Sequence, residues 1–198
     1  AALSEPAPED AQRFVIPDSR EGWAEALEIL EAMAHAGQAN QALVLDFSAI
    51  RPSGQPIRGL GGRPAPGPLP LLDAFFTLRA GVIAAPDAMP RWEQALRVDD
   101  IMAQAVIYGG LRRAARMAAK TWRDADAPRL AAGLDLPGHA GAAYALLVDA
   151  DFWARLSPRA KADDLATLHA RAVFEAASQA IHQRGEPGFI NADRLVRT

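Results

Sequence analysis

The sequence predicts an α/β fold, and three observations predict it. Short β-type apolar runs recur at 13–17, 42–47 and 143–148. Between them lie segments whose apolar residues repeat at three- and four-residue spacing, the mark of amphipathic helices. One stretch, 48–70, is dominated by glycine and proline and separates the first strand–helix–strand group from the rest. The resulting order is β-α-β-loop-α-α-β-α-β, which fits a layered α/β structure or part of a barrel.

Each element has a local reason. Arg13–Pro17 is short and apolar, as a strand is. Ser19 is a good N-cap, with Glu21 and Gly22 in the first turn behind it. Trp23, Leu27, Leu30 and Ala34 then share one face, so Arg20–Ala36 is a helix that Gly37 stops. Ala42–Phe47 reads as a buried strand. Five prolines and five glycines between Pro52 and Pro68 exclude regular structure and imply a long shaped loop, a type that is commonly functional. Leu71–Ala84 is helical, with Leu72, Phe75, Phe76, Leu78 and Val82 on a broad apolar face, and Ala85–Pro90 breaks it. Val98–Tyr108 is a further helix, with Asp99 and Asp100 near its positive end and Gly109-Gly110 at its close. Arg112–Ala118 continues as helix on propensity. Residues 122–141 carry no clear pattern. Ala143–Val148 is a buried strand, and Asp151–Leu156 a short helix. Pro158–Arg184 is a long helix with Leu165, Leu168, Ala172, Phe174, Ala177 and Ile181 inward. Gly185 stops it, and Phe189-Ile190 begins a last strand.

Composition narrows the function. With 198 residues, one domain with its own core is expected: a loose lead-in over 1–12, then 13–198. The balance of 21 basic to 24 acidic residues argues against a broad nucleic-acid footprint, so DNA is not an expected partner. No apolar run reaches about 18 residues and no signal-peptide pattern opens the chain, so the expectation is a cytoplasmic protein without a membrane partner. There is no cysteine, hence no thiol chemistry and no thiolate metal site. The four histidines have no ligand spacing, and no serine sits in a nucleophile elbow. The tryptophans read as packing residues. The acidic pairs at 99–100, 149–151 and 163–164 read as helix-start charges.

One constellation remains. The acidic helix start Asp18-Ser19 is followed about thirty residues later by Ile50-Arg51-Pro52-Ser53-Gly54-Gln55-Pro56-Ile57-Arg58-Gly59-Leu60-Gly61-Gly62. Brought together, these elements suit a nucleotide. Asp18 would accept from a base or ribose, Arg51 and Arg58 would meet phosphates, and the glycines would let backbone approach. The loop is neither a Walker motif nor a dinucleotide fingerprint.

The ordered blocks resemble the catalytic subunit of adenosylcobalamin-dependent (class II) ribonucleotide reductases. They are Asp18-Ser19-Arg20-Glu21-Gly22-Trp23-Ala24; Asp46-Phe47-Ser48 with Ile50-Arg51-Pro52; Gly54 to Gly62 with Gly67-Pro68; Asp100-Ile101-Met102; Gly110 to Met117; Val148-Asp149 with Phe152-Trp153; and Gly185 to Asn191. The resemblance implies a helix-rich, partial ribonucleotide-reductase-type α/β barrel with a long Gly/Pro loop. It implies that Asp18, Ser19, Arg51 and Arg58 belong to a specificity site for a deoxynucleoside triphosphate effector. Gly110, Arg112 and Arg113 match a second loop between effector and substrate. Glu186, Pro187, Gly188 and Asn191 match a segment leading into the substrate pocket.

The departures set further expectations. The family generates a thiyl radical on one cysteine and draws electrons from a cysteine pair, and both would lie outside this chain. The expectation is an internal segment or shortened relative that does not turn over alone and binds no adenosylcobalamin alone. Gly61-Gly62-Arg63-Pro64-Ala65-Pro66-Gly67-Pro68 carries extra prolines, which remove backbone donors from the phosphate loop. Ala142-Ala143-Tyr144 replaces an Asn-rich, Ser-containing approach and weighs against ribonucleotide binding. Two readings from other classes stand beside this one: a non-catalytic nucleotide-binding regulator, and a scaffold or homodimerising protein using exposed apolar faces of Arg20–Ala36 and Leu71–Ala84.

Overall fold

The structure, a computed structural model, describes residues 11–36, 42–58, 61–84, 88–108, 112–113, 116–133 and 142–195. The chain divides into two compact units, Ala1–Ala114 and Ala115–Thr198. Helix and parallel sheet alternate in both, as an α/β fold requires.

Unit 1 opens with a strand–helix–strand motif. Strand β1 (Gln12–Val15) pairs in parallel with β2 (Leu43–Asp46), in register from Gln12↔Leu43 to Val15↔Asp46. Helix α1 (Arg20–His35) connects them. Its N-terminus forms where expected, because Ser19 is extended and its hydroxyl accepts from the Gly22 amide at 3.0 Å. The side chains of β2 are half-buried rather than buried, since the pair has only two strands. The expected stop at Gly37 lies outside the described residues.

The Gly/Pro loop is less irregular than its composition suggests. It contains a small antiparallel hairpin, β3 (Pro56–Ile57) against β4 (Arg63–Pro64). Two glycines with positive φ, Gly61 and Gly62, turn the chain, and the prolines sit where a short edge strand needs no donor. Farther on, Gly67 (φ +81°) passes Ser53 so closely that an added Cβ would lie 2.9 Å from the Ser53 nitrogen. The loop is therefore closed on itself.

Helix α2 (Leu69–Leu78) continues into a π-helical turn, Arg79–Ile83. Helix α3 (Arg91–Ala105) starts seven residues before the expected position. Ile107–Tyr108 is not its last turn but a strand, β5, pairing with β6 (Arg112–Arg113). Asp99 and Asp100 thus lie inside α3, not at its positive end, and Asp100 is only 2 % exposed. The core of this unit gathers Ile16, Ala26, Ile50, Leu71, Ala74, Phe75 and Ala105, with Trp23, Leu27 and Leu30 of α1 packed against it. The apolar face of α1 is spent on this core and is not the free surface expected of it. Burial of each large side chain contributes about 1.5–3 kcal/mol.

Unit 2 is a three-stranded parallel sheet in the order β7 (Arg116–Thr121), β8 (Ala142–Val148), β9 (Gly188–Asn191). Helix propensity predicted a helix across Arg112–Ala118. Its described residues are strands instead: Arg112–Arg113 form β6, and Arg116 to Thr121 are extended because they pair with Ala142 to Leu147. Helix α4 (Ala127–Ala131) occupies the stretch without a pattern. Asp149 caps α5 (Ala150–Leu156), and Asp164 caps α6 (Leu165–Arg184). Pro158 to Asp163 are not helical.

The buried face of α6 is Thr167, Ala170, Val173, Ala177 and Ala180. Leu165, Leu168, Phe174 and Ile181 stay 36–81 % exposed, and Ala172 is exposed too. Small residues let α6 approach α4, whose Ala127, Leu130 and Ala131 are buried. Gly185, in the left-handed region at φ +81°, ends α6.

Candidate functional site

Parallel pairing places the carboxyl ends of β1 and β2 on one edge, where open α/β sheets present ligand-binding loops. The chain leaves β1 through Pro17 and Asp18 into α1, and leaves β2 through Phe47 and Ser48 toward Arg51. The turn after β1 is tight: the Ser19 amide donates to the Pro17 carbonyl at 2.8 Å. Only glycine fits at position 22, because a Cβ there would lie 2.7 Å from the Pro17 ring.

Asp18 and Arg51 meet on this edge. The Arg51 Nε donates to Asp18 Oδ2 at 2.5 Å, and the two side chains are 31 % and 28 % exposed. The acidic helix start and the arginine loop therefore meet directly, through the Asp18–Arg51 ion pair. An ion pair this open to water contributes at most about 1 kcal/mol, so a stronger anion can compete for the guanidinium. The Ser19 hydroxyl is occupied as the α1 cap. Arg58 lies exposed at the tip of the β3–β4 hairpin.

A second ion pair was not singled out in the sequence. Arg13 Nη2 donates to Asp46 Oδ2 at 2.5 Å across the parallel pair. Asp46 Oδ1 accepts from the Ser48 amide at 2.9 Å. The Arg13 guanidinium and the Ser48 donors hold the Asp46 carboxyl far below the usual carboxylate range. Arg13 stands opposite Val44 and Asp46 opposite Val15 in the parallel register, so the ion pair reaches diagonally across two positions.

The remaining residues divide between the units. Arg112 and Arg113 form β6, described as backbone only, and Gly110 lies outside the described residues. In unit 2, Glu186 is half-buried and Pro187 buried, while Gly188 and Asn191 bound β9 and are exposed. The Asn191 side chain accepts from the Asp193 amide at 3.0 Å. It thereby caps the 3₁₀ turn Ala192–Arg194.

Sequence reasoning also passed over a polar cluster at the carboxyl ends of β7 and β8. The Trp122 indole donates to Asp149 at 3.1 Å. Arg123 bridges Asp149 and Asp151 at 2.9 and 3.2 Å, with its guanidinium 4.5 Å over the Trp122 ring. Its charges are mutually satisfied, and it reads as a brace. Among the described residues, no group of three or more His, Cys, Asp or Glu is placed to hold a metal. Nor is any helix among them long and apolar enough to cross a membrane.

Residues 3–81 match the family model for the insertion domain of B12-dependent ribonucleotide reductase. All four effector-site candidates fall inside that match. A Mycobacterium phage D29 protein, provisionally named an adenosylcobalamin-dependent ribonucleoside-triphosphate reductase, is 30% identical over 187 residues, covering 88% of this chain and 27% of its own. The enzyme of that name from Lactobacillus leichmannii is 28% identical over 188 residues, covering 93% and 23%. The one from Lactobacillus helveticus is 36% identical over 109 residues, covering 53% and 14%. The chain thus spans about a quarter of the length of the first two relatives.

Proposed function

We propose, from the premise that this chain belongs to the adenosylcobalamin-dependent ribonucleotide reductase family, that it is the segment that reads a deoxynucleoside triphosphate effector. The reduction of ribonucleotide to deoxyribonucleotide is completed by residues the segment does not contain. The observation that carries this reading is the contact between Asp18 and Arg51 at the carboxyl edge of β1 and β2, within the stretch matched by the insertion-domain model. Asp18 would address the sugar or base, and Arg51 and Arg58 the phosphates. Gly110, Arg112 and Arg113 would carry the signal toward substrate, and Glu186 to Asn191 would line its approach. The parallel strands would be pieces of a partial ribonucleotide-reductase-type barrel, working in the cytoplasm in deoxyribonucleotide synthesis for DNA replication.

The residues present do not fit adenosylcobalamin chemistry. In this family the cofactor supplies a radical to a thiol, and the 198 residues include no cysteine. No step through the cofactor is therefore assigned to this segment.

The test is thermal unfolding with each of the four deoxynucleoside triphosphates. A ligand present at a hundred times its Kd stabilises by about 2.7 kcal/mol. At least one of the four should raise the midpoint, and Arg51→Ala and Asp18→Ala should abolish the rise. Flat midpoints with all four would refute the effector reading. A second reading, a scaffold derived from the same fold, has Leu69 and Phe76 in its favour: both are on α2 and are 65 % and 64 % exposed. The same melts separate the two, because a scaffold has no preferential affinity for nucleotide.

A further inference from the structure

We infer that Asp46 is a positioning residue for the nucleotide site: its carboxylate fixes the turn that delivers Arg51 to Asp18, and it does not itself touch the ligand. The inference rests on the effector reading and says what holds the two halves of that site together.

Asp46 ends β2 and is joined to both chain segments that leave the parallel pair. Its backbone carbonyl accepts from the Ile16 amide at 2.9 Å, just before the chain reaches Asp18. Its Oδ1 accepts from the Ser48 amide at 2.9 Å, on the way to Arg51. Its Oδ2 takes the Arg13 guanidinium. The side chain is only 15 % exposed and each oxygen is already engaged, so a nucleotide finds little of it to address.

The route from Asp46 to Arg51 is short and held at both ends. The Ile50 amide donates to the Phe47 carbonyl at 3.1 Å, closing a turn over 47–50. Ile50 is buried in the core of unit 1, and Phe47 meets Phe75 edge-on at 6.0 Å. The Ser48 bond is the side-chain turn that aspartate and asparagine make to the amide two residues on. Glutamate, one methylene longer, keeps the charge but carries its oxygens past that amide. The start of the turn would then be free to shift, and a binding site keeps its geometry only when the groups behind its ligand contacts are themselves fixed. The Arg13 pair matters less to this placement, because Arg13 is mostly exposed and water screens it.

The test is isothermal titration of the full 198-residue chain with each of the four deoxynucleoside triphosphates, at a temperature where circular dichroism shows every ligand-free variant folded. Asp46→Glu keeps the charge and loses the turn. It should weaken the bound nucleotide about tenfold, the scale of one hydrogen bond to a charged group. Asp46→Asn keeps the turn and loses the charge, and Arg13→Ala removes the ion pair alone. Both should bind as wild type does. A role in stability alone would sort the variants by their unfolding free energies and leave affinity unmoved. If Asp46→Glu binds as wild type does while Arg51→Ala loses the nucleotide, the inference falls and the effector reading stands. Equal losses in Asp46→Glu and Asp46→Asn also overturn it, because charge and not the turn would then govern the site. If the wild type binds none of the four, both readings fall together.

Discussion

Ser19 answers two descriptions, and the geometry favours one of them. The resemblance implies a residue near the effector's sugar, while the hydroxyl is engaged with the Gly22 amide at 3.0 Å. Removing an N-cap hydroxyl costs about 1 kcal/mol. Ser19→Ala should therefore lower the unfolding free energy measured in urea by that amount, Ser19→Asp should restore it, and nucleotide stabilisation should survive in both. An unchanged midpoint in Ser19→Ala would mean the cap contributes nothing. Single residues of this kind were the most legible part of the chain. Ser19, Asp149 and Asp164 cap helices through contacts within three residues, so their role is written locally. Arg13 with Asp46 was not legible, because the pairing spans 33 positions and depends on strand register. Asp18 with Arg51 has the same separation. It was found only because both residues belong to a recognisable constellation.

Elements were legible where neighbours along the chain decide them and illegible where distant partners do. Helix α1 and strands β1, β2 and β8 appear within a few residues of the expected bounds. Strand β7 does not, because Arg, Met and Ala favour helix in isolation and only pairing with β8 overrides that preference. Helix α6 was found with the wrong inward face. Its alanines and leucines give two apolar stripes, and the close approach of α4 selects the one with small side chains.

Glycine within helices separates propensity from packing in the same way. Glycine to alanine in a helix interior gains up to about 1 kcal/mol from propensity. At Gly81, in the π-helical turn after α2, an added Cβ meets nothing within 4 Å. Gly81→Ala should stabilise accordingly. At Gly22 the same atom would lie 2.7 Å from Pro17, and overpacking of this kind costs about 1–3 kcal/mol. Gly22→Ala should destabilise by roughly that range less the propensity gain, read by chemical denaturation. A stabilised Gly22→Ala would show that the β1–α1 turn can yield, and would undo the account of why glycine follows Ser19.

At the scale of the whole molecule, both units carry a carboxylate that folding holds ionised, and this shapes the pH dependence. In unit 1, Arg13 and Ser48 lower the Asp46 carboxyl. In unit 2, the Thr167 hydroxyl and amide, with Arg155, lower that of Asp164. A carboxyl lowered by folding stabilises above its unfolded pKa of about 3.9, and that contribution is lost as pH falls through the folded value. At the alkaline end, partial burial works to lower Lys120, but hydrogen bonds to Asp124 and Asp126 outweigh it and the ammonium is raised. Its contribution is complete below about 10.4 and disappears only above that. The two signs together predict a stability plateau between about pH 5 and 10, with a steep fall on the acid side. Asn at 46 and at 164 keeps an acceptor for the Ser48 and Thr167 amides while removing the charge. Asp46→Asn and Asp164→Asn should therefore each lower the urea midpoint at pH 7, and each gap should narrow progressively below pH 4 as the wild-type carboxylates take up protons. Equal gaps at pH 7 and at pH 2 would show that the loss came from altered packing and not from charge, and the acid limb would then need another origin.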